Sequence, residues 1–570
     1  MSTPSLRLAR NKLFKIQSNT LTEDEAIRLA YERARVSARE YVIPRDMKGM
    51  TVEDVIQLTP KFWEYHLDLI HGIASSTFVL VTIQYNLAAG TIGSYAADRP
   101  DLQELMDRIM KFDVSAQFML TELGHGLDAM NLETTATLLP NGEFDLHSPS
   151  PHSAKFMPPS TPVSGFPRVA VVMARLIIAG EDRGVRPFIV WLNDGQKMCD
   201  GITSKKLPNR AGSKPIDHSI TSFNHVRLPA AALLGSTERP INMRFNFLSV
   251  ISRVTVGTLA LSMILIPAIK RAVYVAGKYS IRRQVQGFDG KPTPIISFRT
   301  QQRPILHGLA QIAVFEAYAR CSVQRFMHPD LETPVRHGIA TTLKAVLNSA
   351  TQTTLFNLAE RCGAQGLFKH NHIIENQLEV RGISIAEGDV TALCIRLAAE
   401  LLLGRYKLPE ARDPSSLLAQ HEQGLFDECR MAAAQTMSTS GGHRSVGFNN
   451  AILPRCQSLV EAIGHRTAYE AALDAGIDSD LLTLYEAGVI MQDSGWYVQH
   501  VGLTREMQFD RESRALNAVL PRLEGMLDGT GAGEYVDAPI LSQGAWDEFE
   551  RSLEVFQAPS LSTEHVQSKL

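Results

Sequence analysis

Apolar residues recur at helical spacing over residues 22–119. Asp24 and Glu25 precede Ile27, Leu29, Ala30 and Ala34, an amphipathic start with acid in the first turn, where the helix dipole favours it. Asp101 opens another such segment, with Leu102, Leu105, Met106 and Ile109 on one face. At about Phe118 the pattern changes to short apolar runs between turn residues: 134–139, 144–146, 168–178 and 185–192. Asn141-Gly142 marks a hairpin, because tight two-residue turns need positive φ. The region to about Gly235 reads as a small β domain, with its Pro/Ser-rich insert, residues 147–167, as loop. Helical spacing returns over 241–403, interrupted by a Gly- and Pro-containing loop at 287–304. A break at 407–416 precedes a last helical region to about Phe556, and a polar tail follows.

This order predicts a mainly α fold with a central small β domain: a helical N-terminal domain (1–118), a middle β domain (119–235), a helical bundle (236–406) and an extra C-terminal helical domain (407–570). Helical layers on either side of a β domain build a deep cleft, and domain junctions are where cofactors bind. Apolar residues at 44% and charged residues at 21% fit a soluble globular protein. Lys plus Arg at 57 against Asp plus Glu at 60 gives no basic excess, which argues against nucleic acid as a partner. None of the six cysteines forms a C-x-x-C pair, so no zinc knuckle or dithiol motif is visible and no metal is expected. Buried structural thiols in a reducing compartment are the plain reading. The first residues lack the apolar core of a secretory signal. Residues 247–269 look membrane-like, but Arg253 and Pro267 interrupt them, so a buried bundle helix rather than a membrane span is expected. Ser568-Lys569-Leu570 is the tripeptide that a peroxisomal import receptor reads at a chain end, which implies the peroxisomal matrix.

Several segments carry candidate chemistry. Thr121-Glu122-Leu123-Gly124-His125-Gly126 is a Gly-punctuated loop at the entry to the β domain, where backbone can approach a ligand and Thr121 offers a hydroxyl; from composition alone a plain turn is the stronger reading. Arg282 and Arg283 are either a solvated helix end or fixed cations for an anion. Arg253, inside an apolar helix, is either paired with a buried carboxylate or a cleft residue orienting a substrate. Glu387, in Ile385-Ala386-Glu387-Gly388-Asp389, follows the Gly-rich break Cys362-Gly363-Ala364-Gln365-Gly366 and is either an ordinary first-turn glutamate or a base. Glu461, and the segment Ser440-Gly441-Gly442-His443, rank second.

Taken in order, these strings resemble the acyl-CoA oxidases, relatives of the acyl-CoA dehydrogenases. Thr121–Gly126 followed by Leu132-Glu133-Thr134-Thr135-Ala136-Thr137 is similar to the loop that opens that family's β domain. Arg183–Val190, Phe223–Pro229, Tyr279–Gln284 and Thr300-Gln301-Gln302 follow at matching places, and 362–367 and 385–389 resemble the family's C-G-G-H-G-Y and E-G-(D/N) segments. The resemblance implies a β-barrel-like form for the middle domain and FAD as cofactor. Thr121 is implied to bond the flavin, and the backbone at Gly124 and Gly126 to shape its pocket. Arg282, Gln301 and Gln302 are implied to meet the diphosphate and adenine side, and Gly363 and Gly366 to bring backbone close. Arg253 and Gly388 are implied at the substrate, and Glu387 as the catalytic base.

The implied reaction is α,β-dehydrogenation of an acyl-CoA thioester in β-oxidation, with O₂ regenerating the flavin and giving H₂O₂, by a homodimer. Alternatives are the same step with another electron acceptor in a biosynthetic route, or a degenerate relative that only binds acyl-CoA. Three departures line the expected pocket. Leu127-Asp128 stands for Ser-Asn, Phe156-Met157-Pro158-Pro159 replaces an aromatic and glycine segment whose tryptophan stacks on the flavin, and Ala364-Gln365 and Leu367 alter the C-G-G-H-G-Y string. They imply a specialised acyl thioester.

Overall fold

The computed structural model describes residues 3–16, 21–42, 49–214, 216–440 and 445–557. The tail Ser568-Lys569-Leu570 and the residues Gly441, Gly442 and His443 lie outside them.

Helix α1 (Glu23–Val42) starts with Glu23, Asp24 and Glu25 and buries Ile27, Ala30, Tyr31, Ala34 and Ala38 on one face. Helix α2 (Ser75–Thr82) carries no charged residue and buries Phe78, Leu80 and Val81 together with the hydroxyl residues Ser76, Thr77 and Thr82. It runs directly into a π-helical stretch, Ile83–Ala89, that carries two fully buried amides, Gln84 and Asn86. Gln84 Nε2 donates to Ile109 O (2.6 Å) and Val114 O (2.8 Å), and its Oε1 accepts from Ala116 N (2.6 Å). These bonds fasten the π-helical stretch to strand β1 (Ser115–Met119), which begins slightly before the pattern change at Phe118.

The hairpin at Asn141-Gly142 joins β2 (Thr135–Leu138) to β3 (Phe144–His147), with Gly142 at φ +87°. The insert 147–167, read as loop, contains a strand, β4 (Lys155–Pro159). Pro158 and Pro159 hide it from a pattern reading. An edge strand tolerates proline on its unpaired side, and the register shifts between Met157 and Pro159. The long strands β5 (Arg168–Ile178) and β6 (Glu181–Asn193) pair antiparallel, while the other edge of β5 is shared in turn by β1 and β2, both parallel to it. The remaining strands are β7 (Ile202–Lys206), β8 (His218–Phe223) and β9 (Val226–Leu228). One sheet runs β1-β5-β2-β3-β9 with β6 beside β5, and a second runs β4-β8-β7. Met119, Phe144, Val172, Phe188, Leu192 and Phe223 fill the core of this β domain.

One carboxylate ties the first helical layer to both sheets. Asp217 accepts from Tyr31 Oη on α1 (2.7 Å), from Arg168 Nη1 at the head of β5 (2.7 Å), and from Thr161 N (3.1 Å) and Oγ1 (2.7 Å). Burial alone raises a carboxyl pKa, but these donors outweigh it and hold Asp217 below its usual range.

Helices α3 (Ser252–Met263) and α4 (Leu265–Arg282) form the apolar run that mimics a membrane span. Of its most apolar window 89% is buried inside the protein, which is the bundle-helix reading. After a short ribbon comes α5 (Arg299–Phe326), which begins inside the expected loop 287–304 and contains Pro304. A proline here leaves the carbonyl of residue 300 without its helical donor; Arg361 Nη1 supplies one at 3.1 Å. Helix α6 (Thr333–Arg361) packs on α3, α4 and α5 and ends at the Gly-rich break. Helix α7 (Val390–Leu402) starts after Glu387. The C-terminal helices, beginning at Leu417, build a further core with α7 that includes Cys394, Cys429, Cys456 and Leu459. All six cysteines are free, and Cys362, Cys394, Cys429 and Cys456 are buried.

Candidate active site

Glu387 is a left-handed residue, at φ +54°, followed by Gly388 at φ +103°. For glutamate that conformation costs about 1–3 kcal/mol, so the surroundings must impose it. Asp389 then caps α7, with Oδ1 accepting from Ala392 N (2.9 Å). Three consecutive carbonyls are each met by a side chain. Lys344 Nζ, from the middle of α6, lies 2.6 Å from both Ala386 O and Gly388 O. Thr258 Oγ1, from α3, lies 2.7 Å from Glu387 O and 2.9 Å from Val254 O, so one hydroxyl proton is shared between them.

The carboxyl group of Glu387 turns in against α3. A Cβ built on Gly257 would stand 1.1 Å from its Oε2, so the site exists only because residue 257 has no side chain. Asn86 Nδ2, on the π-helical stretch, lies 3.5 Å from the same oxygen and 3.1 Å from Arg253 O; its Oδ1 is buried without a partner. Burial pushes the Glu387 carboxyl up to about 8, with the Lys344 charge pulling the other way, and burial pushes Lys344 down to about 8.

Arg253 is one helical turn from Gly257 and buried. Among the described residues it meets no carboxylate: Nη2 donates to Val55 O (2.9 Å) and Ile56 O (3.2 Å), at the C-terminal end of the short helix Val52–Gln57, and Nη1 has no partner. An arginine at carbonyls of a helix end replaces the ion pair that sequence reasoning allowed.

On the β domain, Thr121 is half-buried and its carbonyl accepts from Phe156 N (2.9 Å). Gly124 donates to His152 O (2.8 Å), and a Cβ on it would lie 2.8 Å from that of His152, so this glycine serves packing between loops. Gly126 faces open space, beside the exposed Leu123 and Leu127. Sequence reasoning passed over Glu122 in the same string. Its buried carboxylate accepts from Glu133 N (2.6 Å), Thr134 N (2.9 Å), Thr134 Oγ1 (2.6 Å) and Lys155 Nζ (3.0 Å). Met157, where the resemblance expects tryptophan, sits at φ +106°.

The third group gathers at the helix ends. Gln301 Nε2 donates to Ser280 Oγ (2.8 Å) and Arg361 O (2.7 Å), and Gln302 Nε2 to Ile296 O (3.0 Å). Arg282 donates to Ile540 O and Gln543 Oε1, both at 3.1 Å, while its Nε–H is buried without a partner. Gly363, at φ +58°, faces open space. Gly366 is pressed onto Ala359, whose carbonyl oxygen a Cβ would approach to 2.0 Å, so its bareness serves the end of α6. Glu461 lies in the C-terminal core, with Gln457 Nε2 at 2.9 Å. A cavity of about 230 Å³ opens between α1, the β7–β8 loop and residues 369–379, lined by Arg33, Arg210, Lys214, Lys369, Glu375 and Glu379 among others; Glu387 does not line it.

Residues 254–402, which hold Gly257, Thr258, Lys344 and Glu387, match the family model of the acyl-CoA oxidase C-alpha1 domain. The putative peroxisomal acyl-coenzyme A oxidase 1.2 of Arabidopsis thaliana is 29% identical over 342 residues, 56% of this chain and 51% of the relative. This chain thus spans about half the length of the curated relatives it matches first. The crystal structure of acyl-CoA oxidase 1 from Yarrowia lipolytica superposes with a TM-score of 0.78 at 17% identity, covering 96% of this chain and 89% of that one. That of Caenorhabditis elegans acyl-CoA oxidase-1, complexed with FAD and ATP, gives 0.70 at 18% identity, covering 96% and 94%. The helical, β and helical layers are therefore those of the acyl-CoA dehydrogenase/oxidase fold. Together with the motifs around Glu387, these findings make the chain similar to the acyl-CoA oxidases, in sequence to their C-alpha1 domain over residues 254–402 and in fold over nearly its whole length.

Proposed function

We propose that the protein is a flavoprotein oxidase that converts an acyl-CoA thioester to its 2-enoyl-CoA. The observation that carries this reading is the Glu387 carboxyl, enclosed against Gly257 with its proton affinity raised to about 8. An α-hydrogen of a thioester is a very weak acid, and a base of raised pKa is better matched to it than an ordinary carboxylate. Glu387 takes the α-proton; the α-carbon keeps the electron pair, which becomes the new double bond as the β-hydrogen leaves. A bound FAD would supply the acceptor for that β-hydrogen as hydride, with O₂ as the oxidant that takes the two electrons and leaves as H₂O₂.

The residues present fit such a group in part. Gly126 and Gly363 leave open backbone, Thr121 adds a hydroxyl, and Arg282 holds a cation with one buried N–H unused. Gly124 and Gly366 are taken up by packing instead, and the Gln301 and Gln302 amide groups by helix-end carbonyls. FAD in the nematode oxidase supports the cofactor assignment. Exposed Phe356, Leu367, Phe368 and Ile385, on or near the Gly-rich break and the base segment, support a second copy of the chain covering this face. Relatives named peroxisomal support the peroxisomal matrix. Oxygen as acceptor follows from that compartment. Met157 in place of a stacking tryptophan supports a specialised acyl thioester over palmitoyl-CoA.

The test is the flavin spectrum of the purified protein with acyl-CoA added in the absence of air. Bleaching, followed by H₂O₂ on re-aeration, is expected. Glu387→Gln should keep the flavin and lose the bleaching. Bleaching without peroxide would select another electron acceptor, and a protein that neither carries flavin nor bleaches would leave only an acyl-CoA-binding role. Because the carboxylate is the active form, kcat/KM should rise with pH and level off above about 8.

A further inference from the structure

We propose that Lys344 is the positioning residue of this site, clamping the carbonyls on both sides of Glu387 and so fixing its left-handed backbone. The proposal deepens the reading of Glu387 as base, and it begins from an anomaly. Lys344 lies in the middle of α6 among Leu343, Ala345, Val346 and Leu347, and it is as buried as they are. A buried ammonium is costly unless it is paired or fully hydrogen-bonded. Yet Lys344 forms no ion pair among the described residues, and its recorded partners are the carbonyls of Ala386 and Gly388, both at 2.6 Å.

The segment it meets needs such a partner. Positive φ at Glu387 and Gly388 takes the chain out of any helical ladder just before α7. Among the described residues, none of the carbonyls of Ala386, Glu387 and Gly388 accepts a backbone N–H. Glu387 and Gly388 are half-buried and Ala386 is exposed, so without side-chain donors the carbonyls of 387 and 388 would lose partners where water has limited access. Lys344 supplies two of the donors and Thr258 a share of the third. With the outer carbonyls pinned to one ammonium, the peptide between them has little freedom, and Glu387 is held with its side chain against Gly257.

The same ammonium is the charge that faces the carboxyl. From α3 the neighbours are Gly257, Thr258 and, a turn earlier, Arg253, whose guanidinium is directed to Val55 and Ile56; from the π-helical stretch comes neutral Asn86; from the segment itself comes Asp389, which caps α7. His337, two turns before Lys344 on α6, bonds Thr255 Oγ1 (2.7 Å) and is kept neutral by burial, with its pKa lowered to about 4. Lys344 thus both places the base and favours its ionised form.

Two variants of the full-length holoenzyme separate these effects. Lys344→Met removes both donors and charge, and Lys344→Gln keeps an amide donor without the charge. Hydrogen exchange of amides 385–389 should speed up about tenfold or more in K344M, with the melting of the whole protein recorded alongside, and less in K344Q. With the member of a series of straight-chain, branched and aryl acyl-CoAs that bleaches the wild type fastest, anaerobic bleaching at pH 7 should slow about 100-fold in K344M. Its pH midpoint should move upward in both variants, which a purely structural lysine would not cause. Unchanged exchange in folded K344M overturns the clamp, and an unmoved midpoint overturns the link to the carboxyl. Should K344M not fold, K344Q decides both. Should no thioester of that series bleach the wild type although flavin is bound, the reading of Glu387 as base fails, while exchange still decides the clamp.

Discussion

A methyl group at residue 257 would lie 1.1 Å from Oε2 of Glu387, far inside contact distance. Alanine is the better helix former by about 1 kcal/mol, so on propensity alone Gly257→Ala should strengthen α3. The expected outcome is a folded protein that still takes up flavin but whose anaerobic bleaching by acyl-CoA is slower by about 100-fold, because the carboxyl is displaced by more than an ångström. Stopped-flow absorbance and the flavin-to-protein ratio check it; wild-type bleaching in G257A would remove the contact from the mechanism. Glu387 itself was legible, since Glu-Gly-Asp after a Gly-rich break matches a family string and the structure gives each residue its own task there. Lys344 and Asn86 were not. A lysine within Leu343–Leu347 has no signature of its own, and only the return of the chain 42 positions later gives it partners.

At the scale of elements, Glu122 shows how one carboxylate closes a loop. Four donors converge on it from 133–134 and from Lys155 on β4, so the Thr121–Gly126 string is anchored from its second residue. Glu122→Gln leaves the Lys155 ammonium buried without its counter-charge, a loss expected at about 3–5 kcal/mol in urea unfolding at neutral pH. A loss below about 1 kcal/mol would show that the carbonyls of Leu120 and Met173 suffice for that lysine. Burial holds the Lys155 pKa down to about 8, so the ammonium is itself surrendered at higher pH and the deficit should shrink by pH 9. Strand β5 and the Asn141-Gly142 hairpin were readable because apolar runs and turn residues are local signals. Strand β4 and the start of α5 were hidden by Pro158, Pro159 and Pro304, whose missing N–H groups matter only when the neighbouring strand or arginine is known.

Over the whole molecule the order of layers was legible from periodicity, but their joints were not, since partners far apart in sequence leave no trace in spacing. Asp217 is the clearest joint, holding α1, the head of β5 and the loop before β8 around one carboxylate. Asp217→Asn should cost about 3–5 kcal/mol at neutral pH, because Arg168 stays buried without its counter-charge. The folded-state pKa of Asp217 is depressed, so its contribution is present above the unfolded pKa of about 3.9 and is lost as pH falls through the folded value. The difference between wild type and D217N should therefore narrow in acid, and urea midpoints at pH 7 and pH 3 measure it; a constant gap would show that packing rather than charge makes the joint. The π-helical stretch Ile83–Ala89 has a consequence of another kind. It holds a surplus residue against the ordinary helical repeat, and dropping one residue there would turn everything on one side by about 100° relative to the other. Asn86 at Glu387 and Gln84 at β1 could not then both keep their stations. A change of one residue in the length of that stretch would therefore redraw the whole wall at once, where a substitution at Gln84 or Asn86 alters a single station.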